Sequence, residues 1–271
     1  MKKRLISVIL AGAFLLSTAA YACHPWINAN DYMPKTSGPI RFHLAYGHNY
    51  PFGHSFYDYD AVGRLYIVNP NGKEEPTGPR VLDQDRSSQV QYESKQELEE
   101  GTYVVVMEEK GNFSARTDKG YQRKSKKELK GQNVDGNVRY CRSFCKAVVN
   151  VGGKSAGQGY RKVLGHGLEI VPLKDPGLLR TNDILPLKVL HNGKTLAESV
   201  MVYATYMGFS NQVDAFAYTA WASSYHEGVA KIRLLQPGTW MVFVFHKLPY
   251  PDAELADQYS FQSTLTFEVK P

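Results

Sequence analysis

The sequence predicts an all-β protein, arranged as two immunoglobulin-like β-sandwich domains behind a cleaved signal peptide. Three observations predict it. Apolar residues alternate with polar ones at period two through several short runs, which puts one face of each run in a core. Glycine and proline, 23 and 14 of 271 residues, punctuate those runs at short intervals. Tyrosine and valine are plentiful, and no sustained helical period follows the first twenty residues.

The amino-terminal residues read as a secretory signal. Lys2, Lys3 and Arg4 precede an apolar run from Leu5 to Ala20, and Ala20-Tyr21-Ala22 gives the small-x-small pattern of a cleavage site. Residues 1–22 are therefore expected to be removed, leaving a periplasmic or secreted chain that starts at Cys23. The run is short for a membrane anchor, and no other segment is long and apolar enough to span a bilayer. Lipid anchoring at Cys23 is the minor alternative, because Ala-Tyr-Ala lacks the aliphatic residue usual three positions before an acylated cysteine.

The first half, residues 23–164, carries four strand patterns. Ile40, Phe42, Leu44 and Tyr46 share one face of a strand over Pro39 to Tyr46, with Arg41, His43 and Ala45 opposite. Gly63 to Asn69 is the second, closed by the turn Asn69-Pro70-Asn71-Gly72. Gly101 to Glu108 and Ala147 to Val151 are the third and fourth. Between these two lies a polar, lysine-rich insertion, Thr117 to Asn137, in which Gln122 to Leu129 could form a short helix. The glycine-rich stretch from Gly153 to Leu164 reads as the junction between halves.

The second half, residues 165–271, opens with Gly165-His-Gly-Leu-Glu-Ile-Val-Pro-Leu-Lys-Asp-Pro176. This is a short strand with Leu168, Ile170 and Val171 as apolar bulk, closed by Pro172 and Pro176. Leu185 to His191 and Thr195 to Tyr206 flank Asn192-Gly193, the strongest hairpin signal in the chain. Gly228 to Leu234 alternates imperfectly. Pro237-Gly238 turns into the apolar run Thr239 to His246. The last strand, Phe261 to Val269, alternates Leu265, Phe267 and Val269.

Composition excludes some roles. The formal charge is +6, and loss of Lys2, Lys3 and Arg4 leaves about +3, scattered except for Arg123 to Lys130. That and export argue against nucleic acid as a partner. Of the three cysteines, Cys141 and Cys145 are separated by three intervening residues, and an oxidising compartment makes them candidates for a local disulfide. Ser155, Ser223 and Ser224 have no nucleophile-elbow context, and no glycine-rich phosphate loop follows a strand. The chain is expected not to be an enzyme.

The histidines are the best candidates for chemistry. His24, His43, His48 and His54 fall close together near the mature start; His166, His191, His226 and His246 lie in the second half. Imidazole binds nickel, cobalt, copper and zinc. Cys23 and the mature terminal amine would add sulfur and nitrogen donors beside His24. His48 follows a glycine at a strand end, His43 sits mid-strand, and His54 lies in the loop beyond.

Several of these segments share the wording of one family. Cys23-His24-Pro25-Trp26, Gly47-His48-Asn49-Tyr50-Pro51-Phe52, Cys145 to Gly152, Gly165 to Pro176, Leu185 to Lys194, Gly238-Thr239-Trp240 and Ser260 to Val269 resemble the DUF4198 family of periplasmic proteins associated with nickel and cobalt uptake. The resemblance spans nearly the whole mature chain. It implies a divalent-metal-binding role, nickel or cobalt, with His24 and His48 foremost, and capture of the ion for a membrane transporter. Three features depart from the pattern: Cys23 precedes the histidine that commonly begins the mature chain, and neither the Cys141–Cys145 pair nor the lysine-rich insertion has a place in it. The alternative function is a structural or adhesive surface β-sandwich that binds protein or glycan.

Overall fold

The structure is a computed structural model that describes residues 24–35, 38–53, 57–80, 91–94 and 98–271. Cys23, His54 and the predicted signal peptide lie outside the described residues. The described chain is all-β. Its strands are β1 (His24–Ala29), β2 (Arg41–Gly47), β3 (Val62–Val68), β4 (Glu74–Arg80), β5 (Gln91–Ser94), β6 (Gly101–Glu109), β7 (Asn112–Thr117), β8 (Gly120–Gln122) and β9 (Val134–Val151). They continue with β10 (Glu169–Pro172), β11 (Ile184–His191), β12 (Lys194–Thr195), β13 (Val200–Tyr206), β14 (Tyr218–Ala222), β15 (Val229–Arg233), β16 (Gly238–Pro249) and β17 (Gln258–Val269). The helical pieces among the described residues are single 3-10 turns.

One large sheet runs β1-β2-β5-β4-β3-β6-β9-β17-β16-β13-β14, with the β7–β8 hairpin attached to β9. A second sheet holds β10, β11, β12 and β15. The seam between the chain's two halves is β9 with β17, a parallel pair from Arg139↔Gln258 to Ala147↔Thr266. The remaining named pairs are antiparallel. Asn192 and Gly193 have φ of 49° and 74°, the left-handed pair of a tight hairpin turn, as their sequence predicts. The hairpin is short, however: only Leu190↔Thr195 and His191↔Lys194 pair, and the expected return strand Thr195 to Tyr206 instead leaves for the large sheet, where β13 lies between β14 and β16.

The centre of the large sheet is buried on both faces, and this explains its continuous apolar runs. Val104 and Val106 of β6, Phe144 and Val148 of β9, and Val242 and Val244 of β16 face the second sheet, against Leu168, Ile170, Leu185, Leu187 and Ile232. Tyr103, Val105, Met107, Ala147 and Val149 face the other way, against Ile27 of β1 and Phe42 and Leu44 of β2. The sheet thus curls until β1 lies across the outer face of β9 and β17. Thr264 Oγ1 donates to the Pro25 carbonyl at 3.1 Å, and Thr266 Oγ1 to that of Ile27 at 2.7 Å. Buried threonines satisfy the edge carbonyls of β1, so Thr264 and Thr266, the polar positions on either side of Leu265, are part of the packing.

The Gly165 to Pro176 segment is a junction of buried polar groups. Glu169 of β10 is fully buried and pairs with buried Lys146 of β9 at 2.6 Å. Its other contacts are the N–H groups of Leu164 and Gly165, at 2.9 and 3.0 Å. Asp175, also buried, accepts from Asn150 Nδ2 at 3.1 Å, from the Gly177 N–H at 3.0 Å, and from the hydroxyls of Thr102 and Ser155. A Cβ on Gly177 would sit 1.8 Å from Asn150 Oδ1, so the cage requires glycine there.

Two expectations are corrected. Gln122 to Leu129 is not a helix. The Leu129 N–H reaches the Ser125 carbonyl at 3.0 Å, while Ser125 N–H and Oγ both donate to Glu128. This closes a single capped turn, pinned by Leu129 to Ala115, Val138 and Ala256. One buried leucine before Gly131 does not sustain a longer apolar stripe.

The Cys141–Cys145 disulfide is also absent: both are free thiols within β9. Four residues of extended chain separate their Cα atoms by about 13 Å, well beyond the roughly 7 Å a disulfide tolerates. Cys145 instead donates to the Pro25 carbonyl at 3.3 Å. Burial pushes both thiols up from their ordinary value. Alkylation of denatured, unreduced protein is expected to label both cysteines, while Cys145 resists labelling in the native state. A mass lower by two hydrogens, mapped to this pair, would contradict this.

Candidate metal centre

The first strand sets the site. His24 opens β1 and is paired in register with Gly47 of β2, which places it beside the residue after Gly47, His48. Its ring is buried and stacks on Phe243 of β16, centroids 4.4 Å apart at 23°. The His48 ring stands edge-on to it at 5.9 Å. The third member comes from the loop joining β13 to β14: Asp214 Oδ1 lies 2.8 Å from His48 Nδ1, and the Asp214 N–H donates to the His48 carbonyl at 3.2 Å. One donor atom from each of His24, His48 and Asp214 lies within 4.8 Å of the others.

Aromatic packing holds this constellation from beneath. Phe216 lies 4.8 Å from Tyr203 of β13 and parallel to Phe243 at 6.3 Å. Trp26, Ala45, Tyr50 and Met241 form a small buried cluster alongside. The Tyr50 hydroxyl donates to the Trp240 carbonyl at 3.3 Å, tying the loop after β2 to β16. His48 and Asp214 side chains keep 17% and 22% exposure, so the trio opens to solvent on that side. Two imidazoles and a carboxylate at this separation match the donor types that borderline divalent ions accept.

The other expected residues fall elsewhere. His43 is paired with Asn28 across β1 and β2, its Nε2 3.3 Å from Asn28 Nδ2, and burial holds it below its ordinary value. Cys23 and His54 lie outside the described residues. His166 is buried and stacked on Phe144 at 4.9 Å, and His246 is buried with its Nε2 3.6 Å from Glu198. His191 contacts the Gly167 carbonyl at the end of β11, and His226 is exposed in a 3-10 turn. Asp214 carries no sequence signal. It stands 166 positions from His48, and only the fold joins them.

A family profile described as "Domain of unknown function (DUF4198)" matches residues 20–248. The chain belongs to that family. The match covers β1 to β16 through Leu248, and so includes every residue of the trio. No protein of curated function matches this DUF4198 chain.

Solved structures with loose similarity include Escherichia coli alpha-2-macroglobulin (6% identity, TM-score 0.24, covering 92% of this chain and 20% of that one). Others are the mouse nectin-like molecule 4 ectodomain (10% identity, TM-score 0.19, covering 91% and 64%) and the Yersinia pseudotuberculosis adhesin InvE (11% identity, TM-score 0.19, covering 90% and 58%). The DUF4198 chain therefore spans a fifth of the first and under two thirds of the others. Superpositions this loose bear on neither its activity nor its partners. Among the described residues no helix is long and apolar enough to cross a membrane.

Proposed function

We propose that this DUF4198 protein is exported to the periplasm, binds one divalent ion, nickel or cobalt, through His24, His48 and Asp214, and passes it to a membrane transporter. Binding is the whole of the mechanism, with no catalytic step. The observation that carries the reading is the convergence of two histidines and one carboxylate from three separate segments. Signal cleavage at Ala22 belongs to the same proposal. So does the division of the mature chain into immunoglobulin-like units 23–164 and 165–271. Cleavage would put the mature terminal amine and the Cys23 thiol next to His24, where either adds a donor.

The donor chemistry favours the late first-row ions. Imidazole nitrogen suits nickel, cobalt, copper and zinc, whereas calcium and magnesium prefer all-oxygen sites. Imidazole binds only in its unprotonated form, so affinity falls as acid protonates it.

Calorimetric titration of the processed chain tests the reading. One nickel or cobalt site per chain is expected at neutral pH, weakening in acid. An added residue ahead of Cys23 is expected to weaken binding further where the terminal amine is a ligand. A titration with no saturable binding of either ion would remove the proposal.

A further inference from the structure

We propose that the segment 207–217 is a hinged flap closed by the ion itself, so that capture and release of nickel or cobalt are coupled to its docking. The inference rests on the metal-binding reading above and concerns how that site is loaded and emptied. The flap's two feet are fixed. Met207 N–H donates to the Thr239 carbonyl at 3.0 Å and Ala217 N–H to the Ala204 carbonyl at 2.8 Å, continuing the β13 pairings at both ends. Phe216, packed on Tyr203, anchors the returning foot.

Between the feet the chain turns outward. Gly208 has φ of 85° and Asp214 φ of 52°, left-handed conformations that reverse the backbone at each end of the excursion. Phe209, Asn211, Gln212 and Val213 are exposed. Phe209 rests edge-on against Tyr206 of β13 at 5.4 Å, but beyond it residues 210–213 have little buried apolar surface to hold them down, the property of regions that open locally below the global unfolding energy.

The hydrogen bonds that dock it converge on one place. His48 Nδ1 with Asp214 Oδ1, Asp214 N–H with the His48 carbonyl, and Asn49 Nδ2 with the Asn211 carbonyl at 3.5 Å all end on His48 or its neighbour. Flap and site therefore share their attachment. An ion held by His24 and His48 on the body and by Asp214 on the flap binds the closed form with one more ligand than the open form. That difference in affinity is what shifts a two-state equilibrium. By reciprocity, anything that draws the flap open weakens the ion's hold, which gives a transporter a route to take it.

Hydrogen–deuterium exchange read by mass spectrometry, on the processed chain with and without nickel chloride, decides the matter. Amides of residues 208–216 are expected to exchange at least about tenfold more slowly with nickel, while those of β11 stay unchanged. In Asp214→Ala, nickel still bound weakly by the two histidines is expected to leave the flap's exchange unaltered. Nickel binding with no slowing in the wild-type flap overturns the flap and leaves the metal site standing. Equal slowing in Asp214→Ala overturns it too, because the clasp then does not run through Asp214. Failure to bind nickel at all overturns both.

Discussion

Lys146→Met is expected to lower the stability of the folded chain by about 3–5 kcal/mol, because it leaves the Glu169 carboxylate buried without its counter-charge. Glu169 would keep the N–H groups of Leu164 and Gly165, but the ammonium at 2.6 Å has no substitute in that core. Burial by itself would raise the Glu169 carboxyl; Lys146, together with the Leu164 N–H and the nearby His166, outweighs it and holds the group below its ordinary value of 4.5. A folded-state value below the unfolded one means that the Glu169 contribution is present above about pH 4.5 and fades as the pH falls through the folded value, although burial also pulls the Lys146 ammonium down from its ordinary value. The gap between wild type and Lys146→Met should therefore narrow in acid. Adding Glu169→Gln to Lys146→Met removes the stranded charge and should recover part of the loss. Urea midpoints at several pH values measure all three. A loss under about 1 kcal/mol for Lys146→Met would mean that this junction does not depend on the pair.

Replacing His24 or His48 by alanine is expected to weaken nickel or cobalt binding by at least about 100-fold, since even outer-shell partners of a metal ligand are worth 10- to 100-fold. His43→Ala is the internal control. Its ring lies in the same pair of strands but faces Asn28, so binding should be unchanged. His24→Ala also removes the ring stacked on Phe243, so each variant is first checked by circular dichroism for an intact β spectrum. Binding that survives both alanine variants, or falls equally in His43→Ala, would place the ion elsewhere.

The strands were legible because their signals are local. Period-two alternation at Ile40 to Tyr46, the Asn192-Gly193 turn and the closing Leu265-Phe267-Val269 face each appear in the structure within a few residues of expectation. Two misreadings share a cause. Four-residue spacing between Cys141 and Cys145 is compact only where the chain turns, and nothing local said that β9 continues unbroken from Val134 to Val151. The Gln122 to Leu129 pattern likewise could not reveal that one leucine would anchor it.

The site was half legible. A histidine at the predicted mature start and another after a strand-ending glycine are sequence features, and the register of β1 on β2 makes them neighbours. Asp214 enters through the loop between β13 and β14, whose approach depends on β1 folding over the sheet so that His24 meets Phe243 of β16. The Lys146–Glu169 pair depends on the second sheet closing over the first. Contacts of that kind are products of tertiary packing, and no window of sequence contains both partners.

The most direct test of the central claim is native mass spectrometry of the processed chain in nickel or cobalt acetate, beside the His24→Ala/His48→Ala variant. The account predicts one ion per wild-type chain and none retained by the variant. A wild-type chain that carries no ion, or a variant that carries the same ion equally well, would contradict it.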